Sequence, residues 1–439
     1  MIRFRVWAER WRSSQFFIPL ALVVAAVVLS VITTSIDARI RAHHVPLPEL
    51  VLSTVDSARA LLGVIASATI AFAGVSISIS LLLIQLASSQ FSPRVLYGFF
   101  RDPVTKWVTG IVIGTFTYCL LVLRVVRAPG ETAAPQVVPH ISVLLATVLG
   151  VGSIVAVVVL INHSARLMQV GEIIRRITDE GRAQIASMGG RFEGAAGDPS
   201  TPEADERADG LTVESDDEGW VQLLDVDRLR QALPPHTTCD LLVFVGGFVS
   251  LGAPLCVLRP PPEIDDGSGV AHGVRQAIHL GRTRTTQQDV AFVFRQLIDI
   301  ALRALSPGIN DPTTAQEVLV HIGSLLQQLL RQATDPADMP DDRGREVRHP
   351  HDRGLDDYVN LAFDQIRLAS STQPAVAITI LEVIAGVLTR LERSDVSKAV
   401  NALERQARLV VNGMDRGDLL PEDIEAVMHA ASSRGLPMT

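Results

Sequence analysis

Four runs without a charged residue crowd the first 165 positions: Ser13–Ile36, Ala60–Pro93, Trp107–Leu123 and Thr132–Ala165. A bilayer core of roughly 30 Å takes about 20 residues of helix, so three of these runs are comfortable spans. The third has only 17 uncharged residues, and it lengthens if Arg124 and Arg127 extend their charged ends to the interface. The reading is four transmembrane helices. Arg3, Arg5, Arg10 and Arg12 open the chain as a signal peptide would. However, the apolar stretch Phe16–Ile32 is longer than a usual signal core and leads into TTSIDARIRA without a small-x-small cleavage site, so the first span is expected to be retained.

Charge sets the expected topology. Four arginines precede the first span against Glu9, and Arg94, Arg101 and Lys106 follow the second against Asp102. Arg166, Arg175 and Arg176 follow the fourth, whereas the first loop is balanced. The positive-inside rule then puts both termini and the middle loop in the cytoplasm of a multi-pass inner-membrane protein. Arg124 and Arg127 on the short outer loop pull the other way. The net charge of −8 hides a division: residues 1–170 hold 13 basic and 6 acidic residues, which leaves 26 basic and 41 acidic for the remainder. A basic half beside anionic lipid and an acidic soluble half fit a membrane protein, and they count against nucleic-acid binding. The three cysteines, Cys119, Cys239 and Cys256, have neither disulfide nor zinc spacing, as in a reducing compartment.

The fold class expected is a mainly α membrane protein: four transmembrane helices plus a cytoplasmic α+β region. Residues 1–165 form the transmembrane domain. Residues 166–190 form an amphipathic connecting helix with Leu167, Val170, Ile174 and Ile177 along one stripe. Residues 191–215, small, acidic and rich in Pro and Gly, read as a disordered linker. Residues 216–270 read as a small β module. In it WVQLL is a strand, Asp225 or Asp227 caps a short helix, and Leu241–Val245 and Leu255–Leu258 are two further strands. Residues 271–439 read as a helical bundle with helices at Thr286–Leu305, Pro312–Arg331, Leu355–Ser370, Pro374–Arg393, Val396–Asn412 and Pro421–Ser432, interrupted by a charged loop at Asp335–Gly354.

The second run holds VSISISLLLIQLASSQFSP, whose alternation suggests a strand. A membrane strand needs a closed barrel and about ten residues per crossing, and this run is far longer, so it is a helix. At about 100° per residue, Thr69, Ala73, Ser76, Ser80 and Ala87 fall on one side. Ser67, Gly74, Ser78, Gln85 and Ser89 gather on the opposite side, with Ile and Leu flanks between. Two readings stand for Thr69, Ser76, Ser78, Ser80 and Gln85. They are helix–helix seams, where small residues let backbones approach, or one stripe lines a pore. Phe91, Tyr97, Phe99, Phe100 and Trp107 around the next loop form an interfacial belt. Arg124 is the basic residue nearest membrane depth, and it either tunes ion choice or snorkels with Arg127.

In the soluble half, GGFVSLGAPLCVL, with Gly247, Val249, Gly252 and Leu255, resembles the second half of a biotinyl- or lipoyl-type barrel over this short stretch. Such carriers need a lysine on a hairpin, and the two lysines, Lys106 and Lys398, lie elsewhere, which argues against a swinging arm. More distinctive is RQLIDIALRALSPGINDPTTA. Arg295, Asp299 and Arg303 stand four apart on one helix face. SPGINDP then breaks the helix, with a turn at Pro307–Gly308, Asn310 suited to a left-handed backbone, Asp311 as cap and Pro312 at the first helical position. An αα-hairpin explains all of this. The alternative is that Ser306, Asn310 and Asp311 at its tip, with the charged face behind them, contact a ligand or a neighbouring subunit.

Taken together, SSQFSPR, the D-x-D of Asp225 and Asp227, and SPGINDP resemble a bacterial family of predicted membrane proteins known as a domain of unknown function, number twenty-two fifty-four. The resemblance covers nearly the whole chain. It implies a four-span membrane domain with a large cytoplasmic C-terminal part, and it brings no reaction with it. No phosphate loop, HExxH, GxSxG or paired-cysteine motif is present. His43, His44, His349 and His351 lack ligands at metal spacing. No enzyme, metal or cofactor is therefore expected. The expected partners are the bilayer, further copies of the chain, and a small ion or cytosolic ligand. The leading expectation is an oligomeric ion channel or small-solute transporter, and its rival is a non-transporting scaffold or sensor.

Overall fold

The computed structural model describes residues 17–43, 53–90, 103–128, 137–167, 169–187, 210–261, 267–332, 341–349, 353–391, 397–414 and 419–438. The chain divides into two compact units, Met1–Gln169 and Val170–Thr439.

In the first unit the four uncharged runs become four helices: α1 Phe17–Ala42, α2 Val55–Gln90, α3 Pro103–Leu123 and α4 His140–Leu167. Each is long and apolar enough to cross a membrane. Chain neighbours run antiparallel: α2 meets α3 through Ser76–Thr109, with Arg59 reaching Val126 O just past the end of α3, and α3 meets α4 through Thr115–Ser153 and Tyr118–Ser142. Helix α3 packs against α1, α2 and α4. Its approach to α1 depends on Gly110 and Gly114. A Cβ on Gly110 would lie 2.6 Å from Leu22 Cδ1 and 3.0 Å from Pro19 Cα, and one on Gly114 would lie 3.3 Å from Leu22 O. This is the small-xxx-small spacing that lets membrane helices touch backbone to backbone.

The unit has an oily surface, and it buries hydroxyl and carboxyl groups among small and aliphatic side chains. Val24, Val28 and Val31 on α1, Ile70, Ile77 and Leu81 on α2, and Val148, Val151, Val155 and Val158 on α4 are exposed. Ser30, Thr33, Asp37, Thr69, Ser76, Thr115, Ser142 and Ser153 are buried. In water that distribution would be inverted; in hydrocarbon it leaves aliphatic groups to lipid and hydroxyls to one another.

The second unit opens with α5 Val170–Ser187, whose stripe of Ile173, Ile174, Ile177, Gly181 and Ile185 is buried against two later helices. Two sheets follow. Strands β1 Leu211–Glu214, β5 Pro254–Arg259, β3 Thr238–Leu241 and β7 Glu346–Arg348 form one sheet in that order, with β7 parallel to β3. Strands β4 Phe248–Val249, β2 Gly219–Leu224 and β6 Ile278–Gly281 form the other, all antiparallel. The short helices α6 Val226–Ala232 and α7 Gly267–Ala277 pack on each other. The core between them includes Leu229, Cys239, Leu241, Cys256, Leu258 and Val274. The helical part comprises α8 Val290–Ala304, α9 Pro312–Gln332, α10 Leu355–Ala369, α11 Pro374–Thr389, α12 Ser397–Gly413 and α13 Pro421–Ser432. Helices α8 and α9 both hold α5.

Several boundaries differ from the sequence reading. Leu211–Glu214 is a strand where linker was expected to run to 215, while residues 191–209 lie outside the described residues. The sheets also recruit β6 and β7 from the stretch read as helical, and β7 falls within the expected loop Asp335–Gly354. The strand expected at Leu241–Val245 instead ends at Leu241. Leu242 N–H still bonds Leu255 O, after which the chain turns at Gly246 with φ +85°. Helix α8 begins at Val290 rather than Thr286 because Asp289 caps it, accepting Phe292 N–H at 2.9 Å.

Two glycines predict opposite responses. A Cβ on Gly181 would lie 2.7 Å from Val293 Cγ1 and 3.1 Å from Leu325 Cδ2. Gly181→Val should therefore destabilise the second unit by about 1–3 kcal/mol. Gly386, in α11, has nothing within 4 Å of its Cβ position, so Gly386→Ala should stabilise by about 0.5–1 kcal/mol. Denaturant titration of the full chain, followed by helical circular dichroism, measures both.

Candidate functional site

On α2 the two stripes separate cleanly. Thr69 and Ser76 are buried, and Ser80 is half-buried. The Ser76 hydroxyl lies 3.2 Å from Thr109 Oγ1 on α3, Thr69 donates to Ile65 O at 2.8 Å, and Ser80 donates to Ser76 O at 2.8 Å. This stripe is a seam inside the protomer. Ser67, Gly74, Ser78 and Gln85 face outward from the bundle. Ser78 turns its hydroxyl back onto Gly74 O at 2.9 Å, and neither Gly63 nor Gly74 has an atom within 4 Å of its Cβ position. Arg124 is exposed in the turn just past α3, its N–H bonded to Leu120 O, and Arg127 pairs with Val137 in an isolated bridge. Of the aromatic belt, Trp107 is exposed on α3; Phe91, Tyr97, Phe99 and Phe100 lie outside the described residues.

The most built polar group of the bundle was missed in the sequence. Asp37, 5% exposed near the end of α1, accepts Ile141 N–H at 2.9 Å, Ser142 N–H at 3.0 Å and the Ser142 hydroxyl at 2.6 Å. A carboxylate from α1 thus caps α4, where orphan N–H groups and the helix dipole favour negative charge. Beside it Tyr118 Oη lies 2.9 Å from Thr33 Oγ1 and donates to Ser142 O at 3.2 Å. The signal was available: a carboxylate six residues beyond Val31 on a helix that continues to Ala42 is an ionisable group within reach of the membrane. Lys106, likewise buried, stands in the first turn of α3.

In the second unit SPGINDP forms the α8–α9 hairpin. Ile309 and Asn310 N–H both bond Ser306 O, Asp311 N–H bonds Ala304 O, and Asn310 has φ +48°. Asp311 accepts Thr314 N–H at 3.1 Å and its hydroxyl at 2.6 Å, capping α9, and Gln373 donates to Asn310 Oδ1 at 3.2 Å. Ser306, Asn310 and Asp311 are therefore bound into the turn. Of the charged face, Arg295 donates to Gln365 on α10 at 2.9 Å, Asp299 is half-buried and Arg303 is exposed. Among the described residues no three His, Cys, Asp or Glu converge as a metal site.

A second polar group joins the β part to α8. Arg284 donates to Asp289 Oδ2 through Nε at 2.9 Å and Nη2 at 2.5 Å, with its guanidinium 5.7 Å from the Trp220 ring and 5.1 Å from that of Phe292. Burial pushes the Asp289 carboxyl up, and Arg284 and the Phe292 N–H pull it back. Gly246 is packed over the pair, and a Cβ there would collide with Asp289 Oδ2 and Arg284 Nη2.

Four apolar helices with a polar seam, followed by a region of small sheets and helices, define a multi-span membrane protein with a folded C-terminal part. The chain belongs to the predicted membrane protein family DUF2254, which it matches over residues 12–386. An uncharacterized protein of Mycobacterium tuberculosis is 30% identical over 386 residues, covering 87% of this chain and 72% of the relative. One of Mycobacterium bovis matches to the same extent. No solved structure matches the chain.

Removing the caps should separate their roles. Asp37→Ala leaves two α4 N–H groups without an acceptor and should cost about 1–3 kcal/mol, against about 0.6 kcal/mol for the hydroxyl deleted by Tyr118→Phe. Unfolding in mixed detergent micelles reads both. Asp311→Ala should cost about 1 kcal/mol. The bonds from Thr314 hold the Asp311 carboxyl below its usual range. Its contribution is then complete above the ordinary carboxylate pKa of about 4 and is lost as pH falls through the lower folded value. The wild-type and variant stability curves should converge there.

Proposed function

We propose that the protein is an oligomeric ion channel or small-solute transporter, assembled from copies of the chain with the polar outer stripe of α2 turned toward a shared axis. The observation that carries this reading is the split of the two stripes. Thr69 and Ser76 are consumed within the protomer, while Ser67, Ser78 and Gln85 remain on the exposed side of α2 beside Val64, Ile70, Ile77 and Leu81. Lipid is a poor neighbour for an amide, and a water-filled axis satisfies it. In this reading both termini are cytoplasmic, as the arginine distribution favours, and the second unit regulates assembly or opening. Asp37 then caps α4 at the outer end, and Arg124, at that same end, is placed to bias ion choice.

One observation favours a second reading, a non-transporting scaffold or sensor. Ser78 already satisfies its own hydroxyl, and Gly63 and Gly74 leave open space beside the helix, as a tight helix–helix seam between copies would use.

Conductance of the full chain in planar bilayers separates them. Ser78→Leu with Gln85→Leu should abolish current while cross-linking still detects the oligomer. If the oligomer is lost instead, the stripe is a seam and the scaffold reading stands. Ser76→Leu should weaken the protomer itself, because it replaces the Thr109 contact with a side chain too large for the seam.

A further inference from the structure

Phe248 and Leu251 flank the turn between β4 and β5 and are 56% and 68% exposed. They sit on a rigid base. Phe248 meets Trp220 edge-on with ring centroids 5.4 Å apart, and Trp220 is backed by Arg284, which Asp289 and Phe292 hold in place. The acidic loop after β1 is bonded to the same turn: Ser215 N–H donates to Ala253 O, and Gly252 N–H to Ser215 O, each at 2.9 Å. That loop exposes Asp216, Asp217 and Glu218. Arg275 stands 4.0 Å from Asp216 and offsets one of these charges.

We propose that this surface docks a basic peptide segment bearing aromatic or aliphatic side chains, supplied by a partner protein. An aromatic pair held in place offers a preorganised apolar contact, which lowers the ordering cost of binding, and Leu251 extends it. The carboxylates beside them select the sign of the partner's charge and speed its arrival. A neutral apolar partner would cover those carboxylates without compensation. Exposed aromatics also suit a bilayer surface, but an anionic leaflet repels the loop that shares this turn.

The test uses the full chain in zwitterionic nanodiscs, titrated with a fluorescent peptide of alternating Arg and Trp. An Arg/Ser peptide and a Glu/Trp peptide serve as probes of charge alone and apolarity alone. The Arg/Trp peptide should bind at least about tenfold tighter than either. Leu251→Ser, and separately Asp216→Asn with Glu218→Gln, should each weaken it about tenfold. Leu251 supports nothing beneath it at that exposure, so its variant keeps the fold. Equal binding by the Arg/Ser peptide, or no effect of either variant, overturns the proposal. A second arm labels Ser250→Cys, at the exposed position beside Leu251, with a water-soluble maleimide, the native cysteines being buried. Slower labelling with the Arg/Trp peptide supports the proposal. Slower labelling in anionic nanodiscs alone would identify the bilayer as occupant and overturn it.

Discussion

The first unit depends on how closely α3 is gripped. Gly110 and Gly114 admit the α1 backbone to near contact, and polar rungs then tie α3 to its neighbours: Thr109 to α2, Thr115 to α4, and Tyr118 to both α1 and α4. Each rung is worth little in hydrocarbon, about 0.6 kcal/mol on average. Their value lies in register. A slip of one residue along any helix would strand a hydroxyl against aliphatic groups, so the rungs specify one arrangement among the many that dispersion forces alone would tolerate. Asp37 adds a stronger constraint, since moving α1 would uncover a carboxylate and two α4 amides at once.

That internal accounting of polar groups is what makes the outer stripe of α2 informative. Serines on a membrane helix carry no message when they sit in a seam, and Ser76 does. With the seam assigned, Ser67, Ser78 and Gln85 are left on the exposed side of α2, while Ser35 on α1 and Thr147 and Asn162 on α4 are exposed elsewhere. The two stripes of α2, equivalent on a helical wheel, thus differ in the fold: one is used in packing and the other is exposed. The rise of α2 spreads Ser67 to Gln85 over about 27 Å, close to the thickness of a bilayer core.

Helices were legible wherever local chemistry decides them. Pro312, Pro374 and Pro421 open α9, α11 and α13 as expected, because a missing N–H costs nothing at the first turn. The Asn310 left-handed turn and the Asp311 cap follow from residues within four positions of each other. The sheets were less legible because their partners are remote: β7 joins β3 across more than a hundred residues, and no window of sequence contains that pairing. Helix α7 was hidden by Gly267, Gly269 and Gly273, each of which weakens a helical signal. Asp37 was missed for a related reason. Treating the first charge as the end of a span cut α1 at Ile36, and the groups that accommodate that charge are supplied by α4, 104 and 105 positions away.

The second unit shows how distinctive sequence and chemical availability part company. SPGINDP draws the eye, yet Ser306, Asn310 and Asp311 spend their polar atoms on the turn and on Thr314 and Gln373. A motif can be demanding because the backbone is demanding, and a left-handed asparagine between two caps is such a case. The turn Ser250–Ala253 has ordinary composition, yet it holds Leu251 in solvent beside a fixed aromatic pair and a run of acids. Under the docking proposal a partner covers that side chain, and the carboxylates alongside it favour a basic one.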